Sequence, residues 1–165
     1  MRLGIVIHGH RPDAMAAAHH VVAQLASCGA QVLVEDEVLA AFASGSVTSL
    51  NAPDARADVI LSLGGDGTLH EVVNGLFIQQ EVCPDEVLLA VIAVGTGNDW
   101  VRTFGISNRY QDAVKAIGEG YSFLQDVGVV SYEESHYRQS RYMANVAGAG
   151  FDAHVVRKFS HLKKK

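Results

Sequence analysis

Two glycine-rich segments contain the residue types and spacing that could carry out chemistry. Residues 64–68 read GGDGT and residues 95–99 read GTGND; we call them the first and second glycine loops. Glycine has no Cβ, so a backbone built from it can turn sharply and approach a phosphate closely. Asp66 would repel a phosphate by direct contact, but it could hold Mg²⁺ or a substrate hydroxyl between them. The residue types therefore favour phosphate chemistry assisted by a cation.

The elements that must position these loops are short apolar strands. A run over residues 59–63 precedes the first loop, and a seven-residue apolar run, typical of a strand buried on both faces, precedes the second. Alternating strands and helices predict a three-layer α/β/α domain with a mostly parallel sheet. Ligands of such sheets bind beyond the carboxyl ends of the strands, where both loops fall. The predicted strands cover 2–8, 31–34, 59–63 and 88–94, the helices cover 13–27, 68–77 and 110–118, and 43–57 is a surface loop.

A purely structural interpretation of the loops is also available. Thr68 and Glu71 fit the T-x-x-E pattern of a capping box, in which Thr68 would be the N-cap of the following helix. The second loop could be a tight turn with Asp99 as N-cap. Capping accounts for Thr68 and Glu71 but leaves the glycines and Asp66 of the first loop unexplained, so a ligand-binding role is favoured.

Composition and charge exclude several classes of protein. The chain has 165 residues, of which 48% are hydrophobic and 19% charged, which excludes intrinsic disorder. The net charge of −5 is uneven, because residues 1–101 carry 3 basic and 12 acidic side chains whereas residues 102–165 carry 10 and 6. The basic part suits either an anionic membrane surface or a solvated face. Basic and aromatic residues do not interleave, so nucleic acid is not an expected partner.

The two cysteines limit the redox chemistry of the chain. Cys28 and Cys83 cannot build a disulfide framework or a four-ligand zinc site, and we predict buried free thiols. No signal segment or 18-residue apolar run is visible, so a cytoplasmic location is expected. The sequence does not fix the oligomeric state, and a homo-oligomer is compatible with it.

Both glycine loops resemble those of the diacylglycerol kinase catalytic-domain family, which includes bacterial lipid kinases and sphingosine kinases. The resemblance extends to Asn74 and Gly75, to Arg102, and to residues 145–153 (NVAGAGFDA), which are similar to the start of the family's β-rich second domain. It implies a nucleotide-binding domain over 1–121 and a β-sandwich-like second domain beginning within 122–165. Strands predicted at 122–130 and 141–147, without an intervening helix, indicate antiparallel pairing and agree with that change of pattern.

The resemblance also implies an activity and its participants. We expect ATP-dependent transfer of the γ-phosphoryl group to a hydroxyl of a diacylglycerol-like lipid, with ATP and Mg²⁺ as cofactors. A lipid substrate implies transient contact with a membrane surface, at the inner face. The family's general base lies in an Asp-Gly-Glu-like stretch that does not follow Asp152 here. Residues 1–165 are therefore expected to be the ATP-binding half of a longer enzyme, inactive alone.

Individual roles follow from the matched motifs. Asp66 and Asp99 are the implied catalytic residues and would organise Mg²⁺, directly or through water. The implied nucleotide-binding residues, with Thr96 in contact with the nucleotide, are Gly64, Gly65, Asp66, Gly67, Thr68, Glu71, Gly95, Thr96, Gly97 and Asn98.

The loop after the first strand departs from the family pattern. The family carries Asn-Pro and then Ser-Gly there, whereas residues 8–12 read HGHRP and look more like NAD kinases, which are distant relatives. An NAD kinase-like phosphotransferase and a non-catalytic nucleotide-binding module therefore remain alternatives. Arg11 is either a phosphate ligand or a solvated side chain, and His8 and His10 form at most a weak metal pair. Trp100 is expected to pack, with a place near the nucleotide as the alternative. Arg102 either pairs with Asp99 or Asp66 or covers the helix surface.

Overall fold

The computed structural model describes residues 1–8, 11–95 and 97–162, with side chains as far as residue 159. The predicted strands and helices of the first 120 residues are present, with ends that differ from the prediction by one or two residues. The strands are β1 (Arg2–Ile7), β2 (Gln31–Val34), β3 (Thr48–Ser49), β4 (Val59–Gly64), β5 (Leu88–Ala93), β6 (Gly128–Glu134) and β7 (Tyr137–Met143). The helices are α1 (Pro12–Ser27), α2 (Asp36–Leu39), α3 (Asp66–Ile78), α4 (Asp99–Thr103), α5 (Tyr110–Glu119) and α6 (Phe151–Leu162), and a 3-10 turn covers Pro84–Glu86.

Within the described residues, five strands form one sheet in the order β3-β2-β1-β4-β5. Every pairing in this sheet is parallel, which confirms the predicted fold class. β1 lies at the centre, between β2 and β4. Because all strands run the same way, their carboxyl ends share one edge of the sheet.

Helices cover both faces of the sheet. In β5, alternate side chains pack against the helices on opposite faces. Successive side chains of a strand point to opposite faces. Ile92 packs into a cluster with residues of α1 and α5, whereas Val91 and Ala93 pack with Leu69 and Val73 of α3. An apolar residue at nearly every position is therefore what a parallel strand with both faces covered requires.

The second sheet is an antiparallel hairpin of β6 and β7. Its turn consists of Ser135 and His136, both with left-handed backbone (φ 51° and 68°), as a tight two-residue hairpin needs. The hairpin packs on α3, with the Tyr142 ring 4.9 Å from the Phe77 ring. Antiparallel pairing was predicted, but the strand limits of 122–130 and 141–147 were wrong, because Ser-His carries no turn signal. The domain limits of 1–121 and 122–165 remain a prediction.

Three further expectations needed correction. The predicted surface loop 43–57 contains β3, which pairs with β2. Cys28 and Cys83 are exposed rather than buried, since Cys28 ends α1 at the surface and Cys83 precedes the 3-10 turn. α6 is a helix in a region where only strands were expected.

Across residues 1–8, 11–95 and 97–162, no helix has both the length and the apolar character needed to span a bilayer.

Candidate functional site

Strand register brings the two glycine loops together. Gly64 at the end of β4 pairs with Ala93 at the end of β5, and the Val94 N–H donates to the Gly64 carbonyl oxygen at 2.9 Å. Each loop then leads directly into a helix, the first into α3 and the second into α4. The predicted place of both loops at the carboxyl ends of parallel strands is confirmed, and the register shows in addition that the loops are neighbours.

Asp66 connects the two loops through its carboxylate. Oδ2 accepts the Asp99 N–H at 2.9 Å and Oδ1 accepts the Trp100 N–H at 3.1 Å. These are first-turn N–H groups of α4, which have no partner within their own helix. The Asn145 side-chain amide also donates to Oδ1, at 3.3 Å. Asp66 of the first loop therefore caps the helix that follows the second loop.

The structure contradicts the alternative interpretation of the loops, in which Thr68 and Asp99 are N-caps. α3 begins at Asp66 with Gly65 as N-cap, so Thr68 lies inside the first turn and the capping box with Glu71 does not form. α4 has Asn98 as its N-cap, and Asp99 is its first helical residue. α3 begins two residues before Thr68, and α4 begins at Asp99 itself, so neither side chain stands at an N-cap position.

The glycines of the two loops differ in how far the chain itself requires them. A Cβ on Gly64 would lie 2.2 Å from Thr68 Oγ1, and one on Gly97 would lie 3.1 Å from Asp66 Oδ2. Gly65 has only ordinary contacts around that position, the nearest at 3.6 Å. Gly67 has no described atom within 4 Å of it, and neither residue has a positive φ. Packing explains Gly64 and Gly97, whereas Gly65 and Gly67 keep space that the described chain does not fill.

Asn98, in the second loop, combines a left-handed backbone with a buried polar side chain. Its backbone is left-handed (φ 56°) and its side chain is buried, with 6% exposure. Nδ2 donates to the Gly95 carbonyl oxygen at 2.9 Å, but Oδ1 has no hydrogen-bond partner among the described residues. Cβ atoms built on Gly95 and Gly65 would lie 3.2 and 3.6 Å from this oxygen. A buried acceptor without a partner is costly, so Asn98 Oδ1 needs a donor or cation from beyond the described residues.

Asp66 and Asp99 could supply part of the coordination shell of a Mg²⁺ ion. No group of three His, Cys, Asp or Glu side chains converges in the part of the chain that the structure describes. A carboxylate offers about four acceptor positions, and described donors use two on Oδ1 and one on Oδ2 of Asp66. The described donors leave one position on Oδ2, the oxygen that accepts the Asp99 N–H. Since Mg²⁺ usually takes one or two carboxylates and completes its shell with phosphate and water, this donor set suits it.

The other predicted residues have separate places. Arg102 pairs with Asp99 at 3.3 Å, and both side chains are exposed, so the pair adds little stability. Glu71 lies 3.7 Å from Arg141 of the hairpin. Trp100 packs as predicted, its ring 4.7 Å from that of Phe104. Gly9, His10 and Thr96 lie outside the described residues.

A cleft of about 530 Å³ adjoins the second loop. It lies between the start of α1 and the start of α5, where His20 and Tyr110 stack with ring centroids 5.7 Å apart. Arg11 stands nearby, its Nη1 3.6 Å from a Cβ built on Gly95, and its side chain holds the pKa of Asp13 below the usual value. The cleft is lined by Asp13, Ala16, Ala17, His20, Ala93, Val94, Gly95, Asn98, Arg102, Asn108 and Tyr110.

Sequence reasoning missed the cleft and gave no structural role to two polar residues beside the loops. The cleft draws on α1, β5 and α5, which are far apart in sequence. Gln125 accepts the Trp100 indole N–H at 2.9 Å and donates to the Ala144 carbonyl oxygen, but it belongs to no motif. Asn145 opens a segment already singled out for its resemblance, which was the available signal.

Known proteins that are similar to this chain include kinases. Diacylglycerol kinases of Staphylococcus aureus strains JH9 and Newman are each 39% identical over 93 residues, which are 56% of this chain and 26% of the relative. The matched part is thus about a quarter of these curated relatives. The crystal structure of yeast NADH kinase complexed with NADH has the same fold, with a TM-score of 0.57 at 19% identity over 88% of this chain and 44% of that one.

The family model for the diacylglycerol kinase catalytic domain matches residues 9–130. That span includes both glycine loops and every strand of the parallel sheet from β2 to β5. The chain therefore belongs to the diacylglycerol kinase catalytic domain family, and it shares its fold with yeast NADH kinase.

Proposed function

We propose that this chain binds MgATP where the two glycine loops meet, as part of a kinase that phosphorylates a hydroxyl of a diacylglycerol-like lipid. The observation that carries the proposal is the space kept by Gly65 and Gly67 at the start of α3. The N-terminus of a 13-residue helix presents unpaired N–H groups and the positive end of its dipole, which suit a phosphate. The family of the chain supports the same activity.

Several residues of the two loops then have roles suited to phosphoryl transfer. In this reaction the protein mainly positions the reacting groups and neutralises their charge. The first glycine loop lets the backbone approach the phosphates. Asp66 Oδ2 and the Asp99 carboxylate hold Mg²⁺, which when bound neutralises charge on the phosphates. The Asp99 and Trp100 N–H groups of α4 each donate to one oxygen of the Asp66 carboxylate. Asn98 Oδ1 is the acceptor left for a ligand donor or the hydrated cation.

We assign the cleft beside the second loop to the nucleoside of the donor. Its volume of about 530 Å³ lies within the range of small-molecule sites, about 300–1,000 Å³. Small side chains would admit a flat base, and the Tyr110 ring could stack on it. Replacing Tyr110 by Leu should weaken ATP binding but not tripolyphosphate binding, measured by calorimetry. Equal weakening of both ligands would contradict this assignment.

The donor site is tested by calorimetric titration of the chain with MgATP. Binding to the wild-type chain and its loss in both Gly65→Val and Asp66→Ala would support the site. Binding that is unchanged in both variants would remove the loop assignment. We expect the 165-residue chain to bind MgATP without efficient transfer, and robust lipid phosphorylation by it alone would contradict that expectation.

The acceptor is tested with the full-length gene product. Phosphate transfer from radiolabelled ATP is compared for diacylglycerol, a sphingosine-type base and NAD. Preference for diacylglycerol supports the proposal, and preference for NAD replaces it with an NAD kinase-like function.

The lipid substrate requires contact with a membrane surface, and we propose α6 for this contact. Phe151, Val156 and Phe159 are 79%, 68% and 60% exposed, and the same helix carries Arg157 and Lys158. Apolar and basic residues together suit an anionic bilayer surface. Co-sedimentation with vesicles should increase with phosphatidylglycerol content. Binding independent of anionic lipid would contradict the proposal.

A further inference from the structure

The side-chain amide of Asn74 joins the hairpin of β6 and β7 to α3. This side chain is buried in α3 with 1% exposure. Its Nδ2 donates to the Tyr142 carbonyl oxygen at 2.8 Å, and its Oδ1 accepts the Tyr142 N–H at 2.9 Å. One side chain thus makes the two hydrogen bonds that a neighbouring strand would make to a residue of β7. The hairpin is seated on α3 in one register.

A second amide holds the chain just after β7. Gln125 accepts the indole N–H of Trp100 at 2.9 Å, and its Nε2 donates to the Ala144 carbonyl oxygen. Trp100 belongs to α4, which begins at the second glycine loop. Ala144 is therefore tied to α4 on one side and, through Tyr142, to α3 on the other.

Asn145, the next residue, reaches the carboxylate that joins the loops. Its Nδ2 donates to Asp66 Oδ1 at 3.3 Å, on the oxygen that also accepts the Trp100 N–H. The terminal torsion of an aspartate side chain is soft, so hydrogen bonds must set its angle. With Asn145 present, both positions on Oδ1 are used and the open position is on Oδ2, beside Asp99 and Gly97.

We propose that Asn145 is a positioning residue: by occupying Oδ1 it fixes the Asp66 carboxylate so that Oδ2 presents its open position to the cation. The cation role rests on the proposed function, whereas the fixing of Asp66 does not. Asn74 and Gln125 hold the segment from which Asn145 projects. Seating of the hairpin on α3 thereby controls the geometry of the donor site.

The fixing of Asp66 is tested without any ligand, by amide hydrogen exchange in NMR. If Asn145 restrains Asp66, Asn145→Ala should increase exchange of the Asp99 and Trp100 amides about tenfold, because both donate to that carboxylate. Asn145→Gln keeps an amide donor and should restore most of the protection. Gln139→Ala removes an exposed amide of the same hairpin and should leave both amides unchanged. Unaltered exchange in Asn145→Ala would overturn the positioning role.

The consequence for the cation is tested by titrating ATP with and without Mg²⁺. Asn145→Ala should weaken MgATP binding about tenfold and leave metal-free ATP binding unchanged. Equal weakening of both would indicate a general structural effect and would overturn the proposal. Failure of the wild-type chain to bind MgATP would instead refute the proposed function, and the exchange measurement would still decide the role of Asn145.

Discussion

The two glycine loops follow neighbouring parallel strands, but their polar groups find hydrogen-bond partners to different extents. In the first loop, Asp66 receives three described donors and Thr68 packs against Gly64. In the second loop, Asn98 has left-handed backbone and a buried oxygen without a described partner. The first loop is therefore held by the fold, whereas the second retains a polar group that the described chain leaves unsatisfied.

This difference has an energetic meaning. A left-handed non-glycine residue costs roughly 1–2 kcal/mol, and a buried unpaired acceptor costs about 1–3 kcal/mol. Both costs fall on Asn98, beside the Asp66 carboxylate. A ligand that supplied a donor or cation to Asn98 Oδ1 would recover part of that free energy on binding. The second loop should respond to ligand more strongly than the first.

The largest effect is expected from Asp66, because it links the loops. Asp66→Ala should raise the Kd for MgATP by about a hundredfold or more. Loss of the α4 cap should also lower the free energy of unfolding by about 1–2 kcal/mol. Calorimetry and urea unfolding measure the two effects. Asp66→Asn keeps one acceptor and removes the charge, so it should unfold at higher urea than Asp66→Ala yet bind MgATP poorly; normal binding by this variant would contradict a cation role.

A smaller effect is expected when the space of the first loop is filled. Gly65→Val places a side chain where the nearest described atom is 3.6 Å from the Cβ, so the fold should persist while the Kd for MgATP rises more than tenfold. The matched control is Gly75→Ala inside α3, where no described atom lies within 4 Å. It should raise the free energy of unfolding by about 0.5–1 kcal/mol and leave binding unchanged. Unimpaired binding by Gly65→Val would assign the first loop a purely structural role.

Asn98 tests the second loop directly. Asn98→Gly accepts the left-handed backbone and removes the unpaired oxygen, so stability should stay within about 1 kcal/mol of wild type while MgATP binding weakens about tenfold. Asn98→Ala should be less stable than Asn98→Gly by roughly 1 kcal/mol, because only it keeps the backbone strain. Thermal unfolding and calorimetry separate the effects. Wild-type affinity in Asn98→Gly would mean that Oδ1 meets no ligand.

The smallest effect concerns a carboxylate at the same edge that belongs to neither loop. Glu35 is half-buried after β2, its Oε2 accepts the Ile7 N–H at 3.2 Å, and burial raises its pKa. The folded chain then keeps a proton that the unfolded chain has released, so stability falls as pH rises above the ordinary glutamate range. Glu35→Gln should exceed wild type in Tm at pH 7 by no more than about 3 °C, a difference that should vanish near pH 4. A Tm difference that does not depend on pH would assign the effect to packing.

Much of the fold could be predicted because apolar runs and glycine positions are local signals. The run from Leu88 onward predicted a buried strand, and the rule for parallel sheets then predicted that both loops would lie at the carboxyl ends of strands. Thr68 was misjudged because the T-x-x-E pattern is local, whereas α3 starts earlier, at Asp66, whose carboxylate is recruited by N–H groups 33 and 34 residues later. Asn98 and the Ser135–His136 turn adopt left-handed backbone without glycine, which side-chain type alone does not indicate.

The place of β1 at the centre of the sheet sets an order for folding. β1 is synthesised before both of its neighbours in the sheet, and one of them, β4, begins only at Val59. Until β4 emerges from the ribosome, one edge of an apolar strand stays unpaired, and such edges are prone to aggregate. Hydrogen bonds between Asn74 and Tyr142 span 68 residues, so docking of the hairpin comes later still. The core sheet should therefore assemble before the donor site acquires its final geometry.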